Sequence, residues 1–206
     1  THDHEALWEA AQQTAQVVPV YVFDPRPQAE HPLGFARAGA VRQQFLAESV
    51  LDLRQRLRAL GSELIVREGR PEDVLPALAR ELGADAVYAS EEATFEEQAV
   101  ETALEARLEA DGRRLELFWQ TTLHHLDDLP MPVRNLPAVF TQFKNKIEKF
   151  GKVRAQFAVP DNLVFTETLD PGTVPTVPDA ADYQPAFRGG ETEGRARLHD
   201  YIWTKD

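Results

Sequence analysis

The run Val17-Val18-Pro19-Val20-Tyr21-Val22-Phe23 is almost wholly apolar and rich in β-branched residues, and it stops at Asp24-Pro25. A strand that is buried on both faces has this composition, because helices cover both sides of a parallel sheet. The run therefore predicts a buried strand of a parallel sheet, and Asp24-Pro25 marks the end of that strand.

Downstream of this run, helical and strand patterns alternate. Apolar residues recur at three- and four-residue steps in the predicted helices, and Gly61 and Gly83 stand where two of these helices would end. Pro71 suits the first position of a helix, where its missing N–H does no harm. The predicted order is helix 41–60, strand 64–66, helix 71–82, strand 86–89, helix 94–108 and strand 115–119. This alternation predicts an α/β fold with a doubly wound, Rossmann-like parallel sheet.

The last part of the chain has a different character. Residues 140–150 predict a short helix, and five prolines lie between Ala155 and Phe187. We expect a linker over residues 155–186 that runs on the surface, because no periodicity is visible there. A new helical pattern begins at Glu191.

Composition limits the class of protein. The chain has 206 residues, of which 43% are hydrophobic, enough for one good hydrophobic core. It lacks cysteine, so neither a disulfide framework nor a cysteine-based zinc site is available. No apolar run reaches the roughly 18 residues of a membrane helix, and the cytoplasm is the default location. The P-loop, dinucleotide-binding and nucleophile-elbow motifs are missing.

The balance of charge argues against nucleic-acid binding by this chain alone. A formal net charge of −12 repels phosphates on average. One stretch is basic, and it contains Lys144, Lys146, Lys149, Lys152 and Arg154. We interpret this stretch as a solvated helix face, and an edge used by a partner or a nucleic acid is the alternative.

Five segments of the sequence, taken in their order along the chain, carry a resemblance to a known family. They are His2-Asp3-His4-Glu5-Ala6-Leu7-Trp8, Val18-Pro19-Val20-Tyr21-Val22-Phe23-Asp24-Pro25, Arg42-Gln43-Gln44-Phe45-Leu46-Ala47-Glu48-Ser49-Val50 with Asp52-Leu53-Arg54, Phe140-Thr141-Gln142-Phe143-Lys144, and Phe187-Arg188-Gly189-Gly190-Glu191-Thr192. In this order they resemble the DASH-type cryptochromes, a branch of the photolyase/cryptochrome family. The resemblance covers nearly the whole chain.

The resemblance implies a modular blue-light flavoprotein. Residues 1–154 would form the α/β antenna domain, 155–186 the interdomain linker, and 187–206 the first residues of a helical FAD-binding domain. The family's flavin contacts would lie beyond residue 206, so FAD belongs to the intact protein only. That missing domain would be the partner of this chain and would contact DNA. The intact protein would repair cyclobutane pyrimidine dimers in single-stranded DNA or act as a photoreceptor.

One alternative to this interpretation is a stand-alone photolyase-like α/β module. Such a module would bind a nucleotide-like ligand or a protein partner without photochemistry.

The resemblance also implies that one strand is absent. In the family, the segment His2-Asp3-His4 follows directly on the first strand, and here only Thr1 precedes it. In a sheet of about five strands with the order 3-2-1-4-5, that strand would lie between the strands at 17–23 and 86–89. The gap could hold a separate first strand, or a strand from a second copy or the tail. Alternatively, the flanking strands could close into a four-stranded sheet.

The resemblance further implies an antenna chromophore, usually methenyltetrahydrofolate in this branch. The family's pterin-binding acid lies at the start of the helix after the strand 86–89, which corresponds to Glu97 here, with Glu96 as the near alternative. A carboxylate suits this place because it accepts paired hydrogen bonds from the pterin's amino and ring N–H groups. Glu97 equally fits a capping box with Thr94, in which no ligand is involved.

Three other groups of residues have less specific interpretations. Adjacent His124 and His125, like His2 and His4, have the residue types of a metal site, but turn structure is the simpler interpretation. The three tryptophans, Trp8, Trp119 and Trp203, are expected to anchor the core rather than to relay electrons. The pair Gly189-Gly190 suggests a flexible entry to a helix, and a phosphate-binding nest is the alternative.

Overall fold

The computed structural model describes residues 1–14, 16–161, 163–164, 169–177 and 187–204. These residues contain four strands and six α-helices. The strands are β1 Val20–Phe23, β2 Ile65–Glu68, β3 Ala86–Glu91 and β4 Arg114–Trp119. The helices are α1 Glu5–Gln13, α2 Ala40–Ala59, α3 Pro71–Leu82, α4 Phe95–Ala110, α5 Phe140–Phe150 and α6 Glu191–Trp203.

The strands form two parallel pairs rather than one continuous sheet. β1 pairs with β2, with Val20 opposite Ile65, and β3 pairs with β4, with Ala86 opposite Arg114. Within the described residues, no ladder of hydrogen bonds joins β1 to β3. The α/β class with parallel strands is therefore confirmed, and the order 3-2-1-4-5 stays a prediction. The alternative of a closed four-stranded sheet is wrong for the part of the chain described.

Helices cover both faces of the strands. On one face, Phe23 packs in a cluster with residues of α2, and Leu7 of α1 packs against the same cluster. On the other face, Ile65 packs with Leu78 of α3, and Val87 packs against a cluster formed by α3 and α4. Both faces are therefore apolar, which explains the uninterrupted hydrophobic run around β1.

The ends of the elements agree with the sequence where it carries strong signals. α3 begins at Pro71 and is followed by Gly83 with a φ of 64°, a left-handed conformation that glycine adopts without strain. β1 is shorter than its apolar run, because the ladder begins after Pro19, which has no N–H. Val17 and Val18 still pack against the core clusters.

The proline-containing segment after α5 contributes to the core. Leu163 and Leu169 are only 4% and 7% exposed and lie in the two clusters around β1 and β2. The C=O of Pro171 accepts a 2.8 Å hydrogen bond from the N–H of Val66. Gly172 has a φ of 69°, and a Cβ there would lie 2.2 Å from the Val66 oxygen. The expectation of a surface path is therefore wrong for these residues.

The start of α6 is fixed to α2. Glu48 accepts a hydrogen bond from the N–H of Gly189, and Asp52 accepts one from the N–H of Thr192. A Cβ on Gly189 would lie 2.0 Å from the carbonyl oxygen of Phe45, so the backbone needs glycine to approach α2 this closely. The predicted flexible entry is therefore wrong here, and two of the N–H groups near a phosphate nest are already bonded to protein carboxylates.

The predicted linker also includes residues 178–186, which lie outside the described residues. Among the described helices, none is long and apolar enough to cross a lipid bilayer.

Candidate functional site

The loops that follow β1 and β3 meet at the carboxyl end of the strands. This edge is where open parallel sheets bind their ligands. A cleft of about 420 Å³ lies here, lined by Arg26, Ala29, Glu30, His31, Pro32 and Arg37. All of these residues belong to the loop between β1 and α2.

Two carboxylates hold Arg26 at the base of the cleft. Asp24 accepts from the backbone N–H and the Nε of Arg26, and Glu72 at the start of α3 accepts from both terminal nitrogens at 2.9 and 3.0 Å. Burial alone would raise the pKa of Asp24, but the hydrogen bonds from Arg26 outweigh it and hold the pKa below its ordinary value. Arg26 is thus a fixed, neutralised part of the wall rather than a free anion site.

The rim of the cleft is a short folded-back loop. The N–H of His31 donates to the C=O of Phe35, and the His31 and Phe35 rings stack with centroids 4.7 Å apart. Gly34 at the turn has a φ of 82°, where glycine is favoured. Leu33 and Phe35 remain exposed, so the rim offers apolar surface beside the cleft.

An ion pair connects this loop to the first turn of α4. Arg37 donates from Nη2 to Oε1 of Glu96 over 2.8 Å. Both side chains are largely exposed, so the pair positions the loop more than it stabilises the fold. Of the two predicted acids, the structure brings Glu96 to the cleft.

Glu97 lies on a different side of α4, near Glu101. Its side chain is exposed, and within the described residues its carboxylate makes no hydrogen bond or ion pair. Thr94 is the N-cap residue as expected, but its side chain makes no capping hydrogen bond. The capping box is therefore absent, and the carboxylate of Glu97 is left without that structural role.

Negative charge is concentrated beside Glu97. Burial raises the pKa of Glu101, and Glu91, Glu92 and Glu97 raise it further, although the N–H of Glu92 donates a 2.8 Å hydrogen bond to Glu101. A cluster of acids with one raised pKa attracts a ligand that presents hydrogen-bond donors.

The ring of Phe95 completes the site. Phe95 stands at the first position of α4, one and two residues before the two acids, and is 85% exposed. An exposed aromatic ring and the unpaired carboxylate of Glu97 in one helical turn are groups that can bind a flat ligand with an apolar face and a donor edge. Sequence reasoning missed Phe95, Arg37 and the Asp24–Arg26 pair, although an acid and an arginine directly after a strand were a usable signal.

Comparison with known proteins decides the family. A sequence model described as DNA photolyase matches residues 1–161.

The chain belongs to the DNA photolyase family.

Relatives within this family agree with the DASH resemblance. Cryptochrome DASH of Gloeobacter violaceus is 42% identical over 99% of this chain and 42% of its own length. The blue-light photoreceptor PHR2 of Arabidopsis thaliana is 40% identical over 97% of this chain and 47% of its own length. The chain spans less than half the length of these relatives.

Solved structures of the photolyase family confirm the fold. A Synechocystis cryptochrome superposes with a TM-score of 0.89 at 36% identity, covering 98% of this chain and 44% of that one. The photolyase of Sulfolobus tokodaii, solved with two FAD molecules, superposes with a TM-score of 0.77 at 26% identity, covering 96% of this chain and 43% of that one.

Three candidate histidines of this photolyase-family chain, His4, His124 and His125, have structural partners. His4 caps α1 by accepting from the N–H of Leu7, and His125 caps a short 3-10 helix. His124 bonds to the C=O of Lys152. Within the described residues, no group of three or more acids and histidines could hold a metal ion.

The three tryptophans differ in their contacts and exposure. Trp8 packs against Phe157 with ring centroids 5.4 Å apart, and Trp119 donates to the hydroxyl of Thr122. Trp203 is 76% exposed, so the expectation that it anchors the core is wrong.

Proposed function

We propose that this chain is the antenna-binding α/β domain of a DASH-like cryptochrome or photolyase. The remainder of the protein would hold FAD and contact DNA. The family match, the DASH-type relatives and their greater length support this proposal. The intact protein would be a blue-light flavoprotein of the cytoplasm that repairs pyrimidine dimers or acts as a photoreceptor.

The first turn of α4 is the proposed antenna site. The observations that carry this proposal are the exposed, unpaired carboxylate of Glu97 and the exposed ring of Phe95 in the same turn of α4. Glu97 would accept paired hydrogen bonds from a pterin, and Phe95 would stack on its face. Glu96, held by Arg37, would fix the loop on the other side of the ligand. When bound, methenyltetrahydrofolate would absorb near-ultraviolet light and pass the excitation on.

A flavin nucleotide is the second candidate for the antenna. The Sulfolobus tokodaii photolyase was solved with two FAD molecules, which implied a novel light-harvesting cofactor in that protein. The acidic surroundings of Glu97 favour a pterin, because the phosphates of a flavin nucleotide would be repelled there.

The exposed face of α6 supports docking of a further domain. Leu198, Tyr201, Ile202 and Trp203 lie on this helix and are exposed. α6 is held against α2 by Glu48 and Asp52, so the face has a fixed position. We propose that the helical FAD-binding domain of the same protein covers this face of α6, because exposed apolar surface commonly marks an interface between domains.

DNA would be contacted through that helical domain and not through this one. The lysines of α5 are exposed, Lys144 pairs with Glu148, and Arg154 pairs with Asp128. These ion pairs support the interpretation of the basic stretch as a solvated helix face. The net charge of −12 opposes phosphate binding.

The antenna assignment can be tested in the intact polypeptide. Purified protein is mixed with methenyltetrahydrofolate, and retained folate is measured by near-ultraviolet absorbance for the wild type, Glu97→Gln and Glu105→Gln. Glu105 lies on the same helix and is exposed, which makes it the matched control. Loss of a charge-assisted hydrogen bond should weaken binding by about tenfold or more in Glu97→Gln only. Equal retention in the two variants would refute the assignment, and retained flavin instead of folate would favour the second candidate.

A further inference from the structure

A short connection leads from β3 into α4, and it determines how the first turn of α4 is placed. The connection consists of Glu92, Ala93 and Thr94, and all three residues are exposed. Thr94 is the N-cap residue, but its side chain accepts no hydrogen bond from the helix. A side-chain cap normally fixes the start of a helix by binding N–H groups that have no partner in the first turn. The first turn of α4 therefore needs another anchor.

Glu101 supplies a hydrogen bond to this connection from within the helix. Its Oε1 accepts from the N–H of Glu92 over 2.8 Å, which joins the end of β3 to the second turn of α4. Glu101 is half-buried, whereas Glu97 and Glu105 of the same helix are exposed. A hydrogen bond from an N–H group to a carboxylate is stronger than one between neutral groups. The bond therefore restricts the direction in which the chain enters α4.

The surroundings of this hydrogen bond disfavour a charged carboxylate. Burial raises the pKa of Glu101, and the negative charges of Glu91, Glu92 and Glu97 raise it further. The N–H of Glu92 acts in the opposite direction, because it stabilises the ionised form. The folded chain therefore holds Glu101 here at a cost in stability, a pattern that is common at functional sites.

Glu101 lies one helical turn after Glu97. Side chains four residues apart are neighbours on a helix surface, and both lean toward the N-terminus of the helix. The anchored connection and the exposed acid thus belong to one short structural unit, which also carries the exposed ring of Phe95. A change in the direction of the connection would move the ring and the acid together.

We propose that Glu101 is a positioning residue of the antenna site. Through its hydrogen bond to Glu92, it holds the first turn of α4 in the orientation that presents Phe95 and Glu97 to a ligand. Glu101 acts through this turn and not by contact with the ligand. The inference rests on the proposed antenna site, but the effect of Glu101 on the turn can be measured without any ligand.

Two substitutions of Glu101 in the intact polypeptide separate the hydrogen bond from the charge. Glu101→Gln keeps an oxygen that accepts from the N–H of Glu92 but removes the charge, whereas Glu101→Leu removes both. Glu105→Leu, at an exposed position one turn further along α4, is the matched control. Without ligand, the amide of Glu92 should exchange about tenfold faster in Glu101→Leu, and within about threefold of the wild-type rate in the other two variants.

Folate retention, read from near-ultraviolet absorbance, measures the consequence for binding. The Kd for methenyltetrahydrofolate should rise about threefold to tenfold in Glu101→Leu, and should stay within about twofold of wild type in Glu101→Gln and Glu105→Leu. The midpoint of urea unfolding should not fall in Glu101→Leu, because the change removes a charge that its surroundings disfavour. Weaker binding together with a lower midpoint would assign Glu101 to the scaffold and overturn the proposal.

Three other results would also overturn it. The first is a wild-type exchange rate of Glu92 in Glu101→Leu. The second is an equal loss of binding in Glu101→Gln and Glu101→Leu, since the charge and not the hydrogen bond would then be responsible. The third is an equal loss in Glu105→Leu, which would attribute the effect to the helix as a whole. If the wild type retains no folate, the antenna proposal fails, and the exchange of Glu92 alone decides whether Glu101 holds the turn.

Discussion

The Nε of Arg54 in α2 donates a 2.8 Å hydrogen bond to Oε1 of Glu63, and both side chains are buried. The other end of the guanidinium donates to the C=O groups of Pro171 and Gly172, so one arginine connects α2, the approach to β2 and the segment after α5. Arg58 shares the same carboxylate from a more exposed position.

Arg54→Met should therefore destabilise the chain by about 3 kcal/mol, because it removes a buried charged partner from Glu63, which keeps only the more exposed Arg58 and the N–H of Leu64, and it removes the donor to the C=O groups of Pro171 and Gly172. Arg58→Met is the matched control and should cost less than about 1 kcal/mol, since this arginine is half exposed. Urea unfolding at pH 7 measures both values. Equal losses would contradict the assigned role of Arg54.

Stability should fall in acid partly through Glu63. Burial alone would raise the pKa of Glu63, but hydrogen bonds from Arg58, Arg54 and the N–H of Leu64 outweigh it and lower the pKa. The contribution is thus present above the unfolded pKa of about 4.3 and is lost as the pH falls through the folded value. In urea titrations from pH 7 to 3, Glu63→Gln should show a shallower decline than wild type. An unchanged slope would refute this attribution.

Alanine substitutions at two glycines, Gly189 and Gly194, should change the amide exchange of α6 in opposite directions. A Cβ on Gly189 meets the Phe45 oxygen at 2.0 Å, whereas one on Gly194, inside α6, meets nothing within 4 Å. Gly189→Ala should release α6 from α2 and speed amide exchange throughout the helix. Gly194→Ala should slow exchange by stabilising the helix by about 0.5–1 kcal/mol. Similar effects of both changes would contradict the close packing of Gly189.

Arg37→Ala should weaken folate binding while leaving the stability of the fold nearly unchanged. Its ion pair with Glu96 is exposed, so the free energy of unfolding should change by less than about 1 kcal/mol. If the pair fixes the loop beside the antenna, folate retention by the intact polypeptide should fall about threefold to tenfold. A fall in stability with unchanged retention would place Arg37 in the scaffold instead.

The sequence predicted the elements whose signals are local. α3 needed only Pro71, Gly83 and the apolar steps between them, all within one short segment. The parallel strands likewise followed from the two-sided burial around Tyr21. Their division into two pairs depends on neighbours that no local pattern encodes.

The features that sequence reasoning missed all depend on distant contacts. Leu163 and Leu169 are single leucines in an aperiodic segment, so nothing nearby indicated that they enter the core. The pairing of Arg37 with Glu96 joins two loops far apart in the chain. The acids Glu96 and Glu97 were found only through the family resemblance, because helix starts commonly carry acids.

The burial of Leu163 against Phe23 also bears on how the chain is made. The ribosome synthesises the strands and helices in chain order. The cluster that contains Phe23 and Val50 is incomplete until Leu163 has emerged and packs into it. Contacts between residues so far apart in sequence form slowly, because the chain between them must lose conformational entropy before the contacts stabilise it. The core of this domain is therefore completed only late in synthesis, after its strands and most of its helices have already emerged.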